Sequence, residues 1–285
     1  MKYLFGPVNS RRLGLSQGID LLPTNICNFN CIYCEVGATS LLTCERQEYF
    51  PTRDIIAEID QLLADPAAPA PDIFTITATG EPTLHTGLGT VIRHLKQKAP
   101  QPVAVLTNGS LLHLAEVRKE LAAADIVIPS LDAALPRSYR RVNRPASCAE
   151  LEQIIEGLVR FRQEFPGELW LEILLVKGVN DSPEDIAALQ HAVARIQPDR
   201  VQLNTVARPP LEAFAAPVDQ QTLEAIAARL PGRVEILVDF AKRERHRFRP
   251  AAENEILEML RRRPCTLPDI CEALNLDGRQ AQEVL

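Results

Sequence analysis

Apolar positions along this chain follow two rhythms. Ile55, Ile56, Ile59, Leu62 and Leu63 recur at helical spacing behind Pro51-Thr52, with Asp54 in the first turn, and the spacing predicts a helix. Asp65-Pro-Ala-Ala-Pro-Ala-Pro71 ends it. Short apolar runs at 73–78, 103–107, 126–130, 169–176, 200–205 and 234–238 predict strands, with an amphipathic stretch between each pair. The run 18–23 adds one more strand, giving seven strands and six intervening helical stretches. Such alternation implies parallel strands joined by right-handed crossovers. There are too many units for a minimal nucleotide fold and too few for an eightfold barrel. The expected class is therefore α/β: a partial (β/α)6 TIM-like barrel over residues 1–240.

Beyond it, Lys242-Arg-Glu-Arg-His-Arg-Phe-Arg249 marks 241–251 as a basic linker. In 252–285, Ile256, Leu257 and Leu260 share one helical face, Thr266, Leu267, Ile270 and Leu274 open a second helix, and a third begins at Asp277 or Gly278. That arrangement reads as a helix-turn-helix segment, a unit that serves nucleic-acid binding or protein docking.

Composition narrows the classes. The 46% hydrophobic content of 285 residues can bury a sizeable core. The start shows no signal-peptide pattern, and no apolar run is long enough to span a membrane. Seven cysteines, an odd number with three in one loop, fit metal binding in a reducing cytoplasm better than a disulfide framework, so a cytoplasmic protein is expected. The formal charge is −6, and residues 241–285 carry nine Lys/Arg against eight Asp/Glu, leaving −7 on residues 1–240. A broad phosphate-binding surface on the barrel is not favoured, and neither is nucleic acid as a partner.

Cys27-Asn-Phe-Asn-Cys31-Ile-Tyr33-Cys34 places three thiols within eight residues, just after the first strand. Three sulfurs that close can hold one metal centre. A cubane cluster and a structural zinc each take four ligands, so a set of three leaves one position open. With Cys44, ten residues beyond the loop, the set would instead make a four-cysteine zinc knuckle, but the single CxxC pair is not duplicated. Cys44, Cys148, Cys265 and Cys271 form no second compact set and read as small buried apolar residues, with Cys44 also placed for a redox role.

The CxxxCxxC pattern with Tyr33 before its last cysteine resembles the cluster loop of the radical S-adenosylmethionine (SAM) superfamily. The resemblance implies a [4Fe–4S] cluster on Cys27, Cys31 and Cys34, SAM on the open iron, and reductive cleavage to a 5′-deoxyadenosyl radical that abstracts hydrogen from a substrate. It also implies a one-electron donor of ferredoxin or flavodoxin type. Thr79-Gly80-Glu81-Pro82 at the second strand end is similar to the motif that receives the SAM amino group, with Thr79 in place of its first glycine. Thr107-Asn108-Gly109 and Ser130-Leu131-Asp132 resemble the radical SAM enzyme of molybdopterin biosynthesis, making Thr107 and Ser130 candidates for the methionine carboxylate and Asp132 for support of the site. Asn108, Asn180 and Val206 complete the expected SAM contacts, Val206 beside adenine. Each motif also has a plainer reading, as a turn or a helix cap.

The wording Phe5-Gly6-Pro7-Val8 and Ser10-Arg11-Arg12-Leu13-Gly14, with Leu203-Asn204-Thr205 and Arg208-Pro-Pro, most resembles uncharacterised Fe–S oxidoreductases grouped with wyosine-base synthases. No cysteine precedes Cys27 and Lys2 is the only earlier lysine, which departs from the second cluster and pyruvate-capturing lysine of those synthases. The paired arginines 11 and 12 lie on a turn-rich opening segment, either solvated or holding a carboxylate or phosphate. Four arginines from Arg137 to Arg144 either suit an anionic substrate or lie in water. Two rivals stand beside the enzyme reading: a regulator that senses SAM or a cluster, and an activase or maturase that acts on a partner protein.

Overall fold

The computed structural model describes residues 1–10, 12–23, 25–77, 79–237, 256–257, 260 and 265–274. The basic linker and the third tail helix lie outside the described residues. Elements run β1 (Leu4–Ser10), β2 (Gly14–Ile19), β3 (Ile26–Cys27), β4 (Leu41–Leu42), α1 (Thr52–Ala64), β5 (Ile73–Ile76), α2 (Leu88–Lys98), β6 (Val103–Thr107), α3 (Ala115–Leu121) and β7 (Ile126–Pro129). There follow α4 (Pro136–Val142), α5 (Leu151–Glu164), β8 (Glu168–Leu175), α6 (Pro183–Ile196), β9 (Arg200–Thr205), α7 (Gln220–Ala227), β10 (Val234–Ile236) and α8 (Leu267–Leu274).

One eight-stranded sheet has the order β1-β2-β5-β6-β7-β8-β9-β10. From β2 to β10 every pairing is parallel, and each crossover carries at least one helix, as the alternation predicts. The apolar register Ile19↔Ile76↔Val105↔Val127 builds a continuous layer of buried residues on the face that the helices cover, while the alternate residues Gly18, Thr75, Leu106 and Ile128 line the cavity. Helices seal it with one face each: α1 buries Ile55, Ile59 and Leu62, worth roughly 1.5–3 kcal/mol apiece. Helix α6 is started by Ser182 and Asp185, which exchange hydrogen bonds across the first turn around Pro183. Among the described residues β1 and β10 do not pair with each other, and the barrel is not closed there.

One expectation needs correction. The opening segment is a hairpin: β1 pairs antiparallel with β2, its register shifting between Phe5 and Val8 across Gly6-Pro7. The first parallel strand accordingly ends at Ile19. Asp20 turns the chain there by accepting from Leu22 N (3.2 Å) and Thr79 N (3.3 Å). In the tail, Ile256, Ile270 and Leu274 form a small cluster of their own, separate from the barrel core, with Val8 of β1 packed against it.

Candidate functional site

The cysteine loop spans the interval between β3 and β4, two short parallel strands that close its base. Asn25, at φ 57°, donates Nδ2 to Val36 O (3.1 Å) and Ala38 O (2.8 Å) and so ties the far arm of the loop back to its start. Thr43 N donates to Cys27 O at 3.0 Å on one flank. On the other, Ile32 N reaches Val142 O (3.0 Å) and Ala146 N reaches Asn28 O (2.8 Å), joining the loop to the segment after α4.

Cys27, Cys31 and Cys34 all line one cavity of about 610 Å³ at the carboxyl ends of the parallel strands. Cys27 Sγ accepts from Phe29 N (3.3 Å) and Asn108 Nδ2 (3.7 Å), and Cys31 Sγ from Asn143 Nδ2 (3.4 Å). Burial, followed by the Glu81 carboxylate, pushes the Cys27 thiol up to about 12. Burial and then Asp132 hold Cys31 well above its ordinary range, and burial raises Cys34. Three thiolates are unfavourable in such a place unless a cation joins them. The donor set fits a soft metal centre in its chemistry, with three cysteines on one cavity and two of their sulfurs steadied by asparagine amides, although among the described residues no three ligating side chains are gathered closely enough to hold an ion.

The strand-end motifs are brought together, though not all face the cavity. Gly80 bridges to Ile26, and a Cβ there would stand 1.8 Å from Ile26 O, so only glycine permits the second strand end to meet the cysteine segment. Glu81 is buried. Its Oε1 accepts from Thr83 N (3.0 Å), Thr83 Oγ1 (2.5 Å) and Thr107 Oγ1 (2.6 Å), and its Oε2 from Asn108 N (2.6 Å). Burial still raises its carboxyl above the usual range. Pro82 opens the 3-10 turn Pro82–Leu84 behind it and does not reach the cavity wall. Thr107 spends its hydroxyl on Glu81, while Ser130 lines the cavity with no hydrogen bond from its hydroxyl among the described residues. Val206 lines the same wall.

Asp132 lies behind the loop. Its Oδ2 accepts from Tyr33 OH (2.5 Å) and Asn143 Nδ2 (2.6 Å), and its Oδ1 from Leu174 N (2.9 Å). Burial pushes it up to about 6 against those hydrogen bonds. Tyr33 is thus fixed between Asp132 and the cavity that it lines. Asn180 is fully buried, off the cavity wall. Its amide holds Val176 N (2.7 Å), Leu174 O (2.9 Å) and Asp132 O (2.7 Å), clamping the ends of β7 and β8. It supports the rim instead of facing a ligand.

Two asparagines of the site carry no motif. Asn28 links Asn108 (2.7 Å) to Ser110 (2.6 Å), and Asn143 joins Cys31 to Asp132. Asn28 follows Cys27 directly, the one cue the sequence holds. Conversely, Arg137, Arg140 and Arg141 are exposed on α4, and Arg144 pairs with Glu212 at 2.5 Å. None of the four lines the cavity. Cys44 and Cys148 also depart from expectation: they form a disulfide, with Cα atoms 6.5 Å apart. Cys148 is exposed and Cys44 half-buried, so neither fills an apolar core, and Cys44 is not a fourth ligand of the loop. The hydrogen bonds of Thr43 and Ala146 to Cys27 and Asn28 bring the two together.

A family model described as the Radical SAM superfamily matches residues 21–189. A UPF0026 protein of Synechocystis sp. is 36% identical over 256 residues, which cover 82% of this chain and 94% of that protein. A Brachyspira hyodysenteriae protein named GTPase Obg is 34% identical over 287 residues, covering 100% of this chain, which spans 42% of that protein's length. Among solved structures, TYW1 with a lysine-pyruvate adduct bound superposes with a TM-score of 0.57 at 19% identity, over 79% of this chain and 74% of that one, a likeness of fold. The chain belongs to the radical SAM superfamily, and is an enzyme of that class with a [4Fe–4S] cluster and S-adenosylmethionine as its cofactors.

Proposed function

We propose that Cys27, Cys31 and Cys34 hold a single [4Fe–4S] cluster with SAM on its open iron, and that the chain abstracts hydrogen from a small polar substrate. When bound and reduced by a one-electron donor of ferredoxin or flavodoxin type, the cluster supplies the electron that cleaves SAM to methionine and a 5′-deoxyadenosyl radical. The observation that carries the reading is that Cys27, Cys31 and Cys34 all line one cavity at the carboxyl ends of the strands.

The chain's own part is positioning and exclusion. Gly80 lets the second strand end lie against Ile26 where no side chain fits, and Glu81, fully engaged by Thr83, Thr107 and Asn108, fixes that turn to the neighbouring strand end. Ser130 and Val206 line the cavity, where Ser130 would present a hydroxyl to the methionine carboxylate of bound SAM and Val206 an apolar wall to its adenine. The cavity, about 610 Å³, is of the size that suits one ordinary ligand, yet it must take SAM and the reacting part of the substrate together. That favours a small substrate, or one side group of a larger one. Enclosure by the barrel keeps water and stray hydrogen donors from the radical.

The test is anaerobic reconstitution of the full chain with iron and sulfide, followed by reduction and addition of SAM. About four irons per chain with 5′-deoxyadenosine formed is the expected result. One zinc with no iron, or a full cluster that never cleaves SAM, sinks it.

A further inference from the structure

Below the cysteine loop, the cavity is floored by a charged group that the cofactors leave unused. Arg12, in the turn between β1 and β2, reaches across the barrel to β8 and β9. Its Nη1 donates to Glu172 Oε2 at 2.7 Å and to Gln202 Oε1 at 2.9 Å. Asn204 Nδ2 donates to the other carboxylate oxygen, Glu172 Oε1, at 3.0 Å. The guanidinium is thereby clamped flat by two strands.

A guanidinium carries five N–H donors in a fixed fork. Nη1 spends its two on Glu172 and Gln202, while Nε and Nη2 meet no protein acceptor among the described residues. Yet the side chain is only 12% exposed, and it lines the cavity. Gln202 is 1% exposed and its Nε2 also lacks a partner. Turning that amide over would set its NH2 against the guanidinium, so its orientation follows from the chemistry. Donors therefore exceed acceptors at this corner, a costly state in a buried place unless a ligand or water brings oxygen.

We propose that the Nε/Nη2 edge of Arg12 is the substrate seat of this enzyme, taking the carboxylate or phosphate of a small substrate by two parallel hydrogen bonds. The inference rests on the radical SAM reading of the cavity above it. A planar fork prefers a two-oxygen anion in this way, and lysine would not replace it. Because Glu172 already balances the charge of Arg12, selection acts through hydrogen-bond geometry at short range. Of the two readings open for the α4 arginines, an anionic substrate or water, the first is served here instead, by one oriented arginine inside the barrel.

The experiment is footprinting of the reconstituted full chain with phenylglyoxal, reading arginine modification by peptide mass spectrometry, without added anion and with succinate or inorganic phosphate. Iron content and 5′-deoxyadenosine are measured on the same sample. Protection of Arg12 by about tenfold or more, with exposed Arg140 unchanged, is expected. Protection by succinate assigns a carboxylate and protection by phosphate a phosphoryl group. The melting-temperature rise that the effective anion gives the wild type should vanish in Arg12→Lys. Equal labelling of Arg12 under all three conditions, or an anion-induced rise that persists in Arg12→Lys, overturns the proposal. Arg12 protection in a sample that holds iron but never cleaves SAM would retire the radical reading and leave the anion seat standing.

Discussion

At the rim, Glu81 receives four protein hydrogen bonds and Asp132 three, whereas at the floor Arg12 and Gln202 keep donors that meet no protein acceptor among the described residues. Both regions lie in one barrel and both are largely buried. The rim has its shape whether or not a ligand is present, because its polar groups saturate one another around the cysteine loop. Such closed networks hold geometry, and this one orients the sulfurs of Cys27 and Cys31. The floor is incomplete by the same accounting. A group kept open in a buried place is where an exchangeable partner belongs.

Substitutions sharpen that contrast. The largest effect belongs to the sulfurs: Cys27→Ala, Cys31→Ala or Cys34→Ala should each abolish both cluster retention and deoxyadenosine formation, read by iron analysis and product chromatography. Next comes Gly80→Ala. Its Cβ would stand 1.8 Å from Ile26 O, so the second strand end must part from the cysteine segment. Thermal unfolding should show a loss of about 3 kcal/mol or more, and iron uptake should fall with it.

Asp132→Asn is expected to cost about 2–3 kcal/mol, since an amide cannot accept from Tyr33, Asn143 and Leu174 at once. Glu172→Gln, at the floor, should cost less than that in the absence of substrate. The order of the two denaturation midpoints tests the contrast directly, and a larger loss at Glu172 would refute it.

The smallest effect is a pH dependence away from the cavity. His85 is fully buried, with Nδ1 accepting from Gly87 N (2.9 Å) and Nε2 facing Phe50 O (2.7 Å), so the neutral ring donates from Nε2. Burial lowers its pKa from the ordinary 6.5. The unfolded chain then binds the proton more readily, and stability present above pH 6.5 is lost as pH falls through the window below it. One proton limits the slope to about 1.4 kcal/mol per pH unit. Denaturant titrations between pH 7.5 and 5 should show that component in the wild type and not in His85→Gln, while the rim and floor pairs behave alike in both.

What the sequence made legible is what is local in it. Three cysteines in eight residues, and polar residues at successive strand ends, mark the cavity end of the barrel without any knowledge of contacts. The hairpin was hidden because Gly6-Pro7 interrupts the alternation that marks a strand, and its partner β2 was read too far along the chain. Arg12 could not be assigned because its partner Glu172 is 160 residues away. Cys44 and Cys148, 104 residues apart, meet only after the cysteine loop is pinned on both flanks. Asn180 was read as a ligand contact since a strand-end asparagine looks the same whether it faces a cavity or turns back to bond the backbone.

The packing of α8 on β1 joins two segments that are made at very different times. At ordinary rates of synthesis, roughly 260 residues separate the emergence of Ser10 from that of Leu267, on the order of 10–50 s. Throughout that interval Val8 and the outer side of β1 await their cover, and an uncovered edge strand invites pairing with another chain. Nascent chains of this protein are therefore open to association along that strand until α8 has left the ribosome.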